Sequence, residues 1–432
     1  MAVCGYFFMA VIRSAPEGRV GIEMINDMND FYKGGRRGYR LQALWTLAFV
    51  TFVALNFFVF MGFDILLPTL SLYLESYGNS EAEIGKIFGT FTISAVLMRM
   101  LAGRLAFHLE AIWLVRIGII GCAIAGIYYN WAVTVPTGMT VRFIHGAGFG
   151  LASTLITALA SQIIPPARIG EGLGFLGLGT TIALALGPFF GIWMMNEFGY
   201  FAMFAVVSGF YLAAVAVTFL LPKIKLASTA PGAPKPKVVL LSSRVWAPSF
   251  LMFMIGLIMG SVTIYMALFC KEKGLPYAGH FFVISTIGLF VARFTAGRLH
   301  DRLGHIYVIL PSIVMLVLVM LMLYEAESRN MLFFISIMYG LSTGAAFPSI
   351  QAIAMSSVPL SGRTEATASL FNSLDLGIGS GSLCFGYIAS RSGSYSSIYL
   401  WAAGASLLMM VFYLVYYRLI VPRKKGGGNK VR

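Results

Sequence analysis

Apolar residues in this chain come in runs of about 20, the length an α-helix needs to cross the hydrocarbon of a bilayer. About twelve such runs follow one another, near residues 43–68, 84–104, 111–132, 138–162, 172–195, 200–221, 248–270, 279–299, 306–324, 331–357, 366–390 and 397–420. Only 11% of the 432 residues are charged, against about 25% in an ordinary soluble domain. So few charges cannot clothe a water-facing surface, whereas lipid tolerates such a surface if every backbone group is paired within helices. The expected fold is an all-α membrane protein of about twelve transmembrane helices.

The sides of the membrane follow from Lys and Arg in the short connections. One side collects Lys33, Arg36, Arg37, Arg40, Arg104, Arg168, Lys223, Lys225, Lys235, Lys237, Arg244, Arg298, Arg302, Arg363, Arg423, Lys424 and Lys425. The other holds Lys86, Lys271, Lys273, Arg329 and Arg391 among several glutamates. This places both termini and the central connection in the cytoplasm, and an even number of spans agrees with termini on one side. The expected organisation is a cytoplasmic tail over 1–42, six spans over 43–221, a Pro- and Lys-containing linker over 222–247, six spans over 248–420 and a tail over 421–432. The apolar start, Met1 to Ile12, has no basic residue before it and is a poor signal peptide. Met24 or Met28 would serve equally as the first residue.

The net charge of +14 is accounted for by these flanking residues, and no nucleic-acid motif accompanies it. Cys4, Cys122, Cys270 and Cys384 form no CxxC pair, which argues against a disulfide framework and a zinc site. No metal or cofactor is expected.

The two sets of six spans repeat each other. Arg99-Met-Leu-Ala-Gly103-Arg104-Leu105 recurs as Arg293-Phe-Thr-Ala-Gly297-Arg298-Leu299, an offset of 293 − 99 = 194. Gly146 and Gly340, Pro165 and Pro359, and Glu171 and Glu365 keep the same offset of 194. Six spans per copy preserve topology, so two six-helix bundles related by an axis along the membrane normal are expected.

The segment Gly297-Arg298-Leu299-His300-Asp301-Arg302-Leu303-Gly304, read as the loop between the eighth and ninth spans, resembles the G-x-L-x-D-R-x-G signature of the major facilitator superfamily. The resemblance implies a conformational latch of Gly297, Arg298, Asp301, Arg302 and Gly304. The first-half copy keeps Gly103 and Arg104 but continues Ala106-Phe-His-Leu-Glu110, without the acid, second arginine and closing glycine. Arg142-Phe-Ile-His145-Gly146 is similar to the family's R-x-x-x-G helix motif. Gly174, Gly187, Pro188 and Gly191 on the fifth span resemble its antiporter motif, with Ala183 and Ile192 at two glycine positions. That likeness implies the drug:proton antiporter branch, and the spans of Asn56 and Asp375 resemble a bacterial subgroup that includes metallophore and drug exporters.

Ionisable residues within spans are costly and therefore functional candidates. Asp64 on the first span follows Asn56 by just over two turns, so both can face one cavity, though Pro68 suggests that the span is near its end. A carboxyl shielded from water can exchange a proton near neutral pH, and the resemblance makes Asp64 the first choice for proton coupling. Arg142 and His145 share a helix face; near the outer end of its span, Arg142 can reach the interface or influence a nearby acid. Asp375, with Asn372 one turn earlier, is the second candidate for a proton or a cationic solute. Arg99 and Arg293, matched by the repeat, read as structural. Phe57, Phe58, Phe60 and Phe63 either line the first span's cavity or face lipid.

These readings converge on a monomeric secondary transporter in a bacterial inner or plasma membrane, exporting a small amphipathic molecule in exchange for protons. A proton-coupled importer of a sugar, organic acid or peptide uses the same fold. A membrane receptor or enzyme is the remaining class. H-E-x-x-H and G-x-x-x-x-G-K-[ST] are absent, as is a G-x-S-x-G with suitable partners; no enzyme is expected, and the proton gradient is the expected energy source.

Overall fold

A computed structural model describes residues 44–165, 168–222, 224, 240–358 and 363–425. The tail expected over 1–42, most of the linker expected over 222–247 and residues 426–432 of the last tail lie outside the described residues. Within them the long elements are helices: α1 Leu47–Ser76, α2 Glu81–His108, α3 Ala111–Tyr128 and α4 Val135–Ile163. A helical run over Ile169–Thr218 follows, interrupted at Gly199; its two parts are α5 and α6. The second half comprises α7 Trp246–Glu272, α8 Ala278–Leu303, α9 Ile306–Tyr324, α10 Arg329–Ser356, α11 Arg363–Ser392 and α12 Ser396–Lys425.

Local chemistry sets the ends. Thr46 caps α1 by accepting the Phe49 amide at 3.2 Å. Ser80 and Glu83 form a reciprocal box at the start of α2, the Ser80 amide donating to Glu83 Oε2 at 2.8 Å. Gly199 has φ = 79°, a conformation open to glycine and strained for other residues; there the chain reverses. Tyr200 packs edge-on against Tyr73 near the end of α1, and Phe210 packs on Phe58 near its middle, so α6 runs antiparallel to α1.

The first span is longer than its composition suggests. Pro68 lies inside α1, which continues to Ser76. A proline removes one backbone bond, and packed neighbours in a membrane protein absorb that loss. The segment read as the loop after the eighth span is likewise helical as far as Leu303; only Gly304, at φ = 96°, makes the turn.

The repeat is visible in the packing. A Cβ added to Gly150 on α4 would stand 2.8 Å from the Ala95 Cα on α2. Its counterpart Gly344 on α10 would meet the Leu289 Cα on α8, also at 2.8 Å, and 289 − 95 = 194. Gly146 and Gly340 press in the same way on the Phe91 and Ser285 carbonyls. Small residues let membrane helices approach to backbone contact, and both bundles use them at the same places.

Helices α1–α6 and α7–α12 form the two bundles. They meet where α2 packs on α11, α5 on α8 and α1 on α7. The end where α6 finishes and α7 begins is called the linker face below; the opposite end is the far face. Apolar side chains such as Ile117, Ile124, Leu408 and Val411 stay exposed on α3 and α12, as a lipid-facing surface demands.

Candidate functional site

The Asp64 carboxyl is 3% exposed on α1, and its Oδ2 has no hydrogen-bond partner among the described residues. The residue pressing on it is Gly187 of α5: a Cβ added there would lie 2.7 Å from the Asp64 Cβ. One turn later, Gly191 seats α5 against Ile65 and Thr69. Asn56 ties the same two helices, its Nδ2 donating to the Leu176 carbonyl at 3.0 Å. The acid and the Gly187-Pro188 motif, found separately in the sequence, thus form one contact. Gly174 lies in the first turns of α5, and its surroundings fall outside the described residues.

Gly187→Ala tests that contact. The added methyl collides with Asp64 and with backbone atoms of α1, 3.1 Å away. Overpacking of this kind costs about 1–3 kcal/mol. A lowered thermal midpoint is expected together with loss of transport, whereas Gly177→Ala, which meets nothing within 4 Å, leaves both near wild type. Full activity of Gly187→Ala would refute the close contact.

Arg142 does not reach toward the interface. It is 1% exposed, with its guanidinium carbon 4.2 Å from the Phe88 ring centre and 5.1 Å from that of Phe91. Nε and Nη1 have no hydrogen-bond partner among the described residues. Cation–π attraction from these rings offsets part of the desolvation cost. Arg142 does not cap Asp64, whose Oδ2 stays open.

His145, on the same buried face, sits between two tyrosines that the sequence did not single out. Its Nδ1 lies 2.8 Å from the Tyr129 hydroxyl and its Nε2 2.7 Å from that of Tyr211. A neutral imidazole donates from one nitrogen and accepts at the other, so one tyrosine donates to it and the other accepts. The Tyr211 ring fills the space left by Gly62, 2.8 Å from where a Cβ would be. A chain of contacts thereby runs from the end of α3 through α4 and α6 to the α1 backbone, two residues from Asp64. Phe60 and Phe63 also point inward, both against Phe149; the Phe57–Phe58 pair leans on Phe210.

Asp375 faces the other bundle. It forms an ion pair with Arg99 of α2, so Arg99 is a bridge between bundles and more than a scaffold residue. The repeat supplies a second bridge. Arg293 Nη1 of α8 donates to Thr181 Oγ1 of α5 at 3.1 Å. Both residues obey the offset, since 293 − 99 = 194 and 375 − 181 = 194. Asn372 does not join Asp375; its Nδ2 donates to the Leu240 carbonyl at 3.2 Å.

Gly103 and exposed Arg104 occupy the last turns of α2. Gly297, Arg298, Asp301 and Arg302 fall in the last turns of α8, and their surroundings lie outside the described residues.

Comparison with known proteins agrees with this architecture. An uncharacterized MFS-type transporter of Methanocaldococcus jannaschii is 22% identical over 372 residues, covering 82% of this chain and 94% of that protein. A multi-drug resistance efflux pump PmrA homolog of Lactococcus lactis is 26% identical over 365 residues, covering 80% and 89%. The staphylopine export protein of Staphylococcus aureus is 23% identical over 368 residues, covering 80% and 90%. Among solved structures, a point mutant of the nucleoside transporter NupG superposes with a TM-score of 0.74 at 18% identity, covering 85% of this chain and 99% of that one. An inward-facing bacterial homolog of the lysosomal transporter Spinster gives 0.69 at 12% identity, covering 87% and 95%. The family profile described as Major Facilitator Superfamily matches residues 52–324 and 277–431. With the two repeated bundles and matches along nearly the whole described chain, the protein belongs to the Major Facilitator Superfamily.

Proposed function

We propose that this transporter exports a small amphipathic molecule in exchange for protons, by alternating access of its two bundles. The observation that carries the reading is the contact of Asp64 with Gly187. Holding a charge away from water is costly, so an ionisable side chain inside a span with an open oxygen is a candidate for proton exchange. Its place at the α1–α5 contact puts the proton beside two helices that pack on each other and that alternating access must carry together. Asp64 takes a proton from the far face and releases it at the linker face, and the solute travels the other way. The excess of Lys and Arg on the linker side favours a cytoplasmic linker face. The names of two relatives, an efflux pump homolog and an export protein, support the outward direction.

Purified protein in liposomes with an imposed pH gradient tests this reading. A panel of sugars, drugs and opine-type chelators is loaded, and proton and solute fluxes are followed together. Opposed fluxes are expected for at least one amphipathic member. Flux of a sugar, acid or peptide in the same direction as protons would replace the exporter with the importer.

A further inference from the structure

About two helical turns along α1 from Asp64, toward the far face, the seam between the bundles forms a cavity of about 510 Å³ that opens to the outside. That is within the range of small-molecule sites, roughly 300–1,000 Å³. Leu72 of α1 and Ile192 and Met195 of α5 give it an apolar wall from one bundle. Asn196 and Tyr200, around the α5–α6 reversal, add polar groups from that bundle. The opposite wall comes from α7, the turn after it and the start of α8, including Leu275 and Lys271. Among the described residues on the wall, Lys271 is the one cation and none is a carboxylate. Its ammonium reaches across the seam to Glu75 Oε2 at 2.5 Å and has further N–H donors to offer.

We propose that this cavity is a second ligand site, for an amphipathic molecule with one anionic group beside a flat or branched apolar body. The anion pairs with Lys271 and the Asn196 amide; the body lies on Leu72, Ile192 and Met195. Because each bundle supplies one wall, the site exists only while the bundles meet at the far face. A ligand there stabilises that arrangement by its differential affinity, and the site operates whether or not Asp64 couples transport to protons.

Dansylglycine, a naphthalene ring bearing one carboxylate, is a suitable probe for the purified full chain. Saturable fluorescence enhancement is expected. Lys271→Gln weakens the apparent affinity about tenfold through loss of a charged hydrogen bond. Asn196→Trp fills the cavity from its exposed rim and abolishes the signal, and Met195→Trp provides a second filling variant if the first misfolds. Asp64→Asn leaves binding unchanged. Spin labels at Tyr77→Cys and Glu325→Cys, on the far-face ends of α1 and α9, narrow to the shorter distance when the probe is added. Equal enhancement in wild type, Lys271→Gln and a folded filling variant would mean partition into detergent and overturn the site. An unchanged distance distribution at saturation would overturn its dependence on far-face closure.

Discussion

Asp64→Asn is expected to reduce transport driven by a pH gradient to the background of protein-free vesicles, while downhill exchange of the same solute continues. The substitution keeps the volume of the side chain and removes its capacity to carry a proton. It adds an amide donor in a place where Oδ2 already lacks a partner, so the fold has no new charge to accommodate. Gly187 touches the Cβ, which both side chains share, and the α1–α5 contact survives. The measurement is paired: labelled solute accumulation with and without the gradient, and counterflow at equal pH. Loss of both would indicate damage to solute binding or folding. Retention of gradient-driven accumulation would move proton coupling away from Asp64, with Asp375 as the next acid to examine.

Much of the scaffold was legible because glycine contacts and helix length are local properties. The offset of 194 anticipated that Gly146 and Gly340 would share an environment, and they press on carbonyls separated by the same offset, Phe91 and Ser285. Pro68 misled because proline reads as a terminus in water, where the lost bond has no packed neighbours around it. Of the two readings open for Arg142, the reach to the interface fails for a related reason. Hydropathy sets a residue against lipid and says nothing of Phe88 and Phe91, which receive the guanidinium inside the bundle. Tyr129 and Tyr211 carried no motif, and their connection to His145 exists only after three helices assemble. The Arg99–Asp375 pair spans 276 residues and has no local signature. Its trace was the repeat itself: Arg293 pairs with Thr181 in the same register, so the two arginines and their two partners were already aligned.

That alignment yields the second prediction with a large effect. Both bridges cross the seam on the linker side of mid-span, yet only the Arg99–Asp375 bridge is ionic. Asp375→Asn replaces an ion pair by a hydrogen bond from the Arg99 guanidinium to a neutral amide oxygen, and a difference of about 1.4 kcal/mol shifts a two-state equilibrium tenfold. Spin labels at Leu109→Cys and Glu365→Cys, beyond the linker-face end of α2 and at the start of α11, report the separation. A shift of about tenfold toward the longer distance is expected for Asp375→Asn. The exchange Arg99→Asp with Asp375→Arg restores the pair and the shorter distance, which a residue needed only for solute binding would not do. Thr181→Asp gives Arg293 the carboxylate that its counterpart already has, and holds the linker face closed more strongly than wild type. If Asp375→Asn leaves the distances unchanged, the ion pair does not hold the linker face, and Asp375 returns to the role of a proton or cationic-solute site.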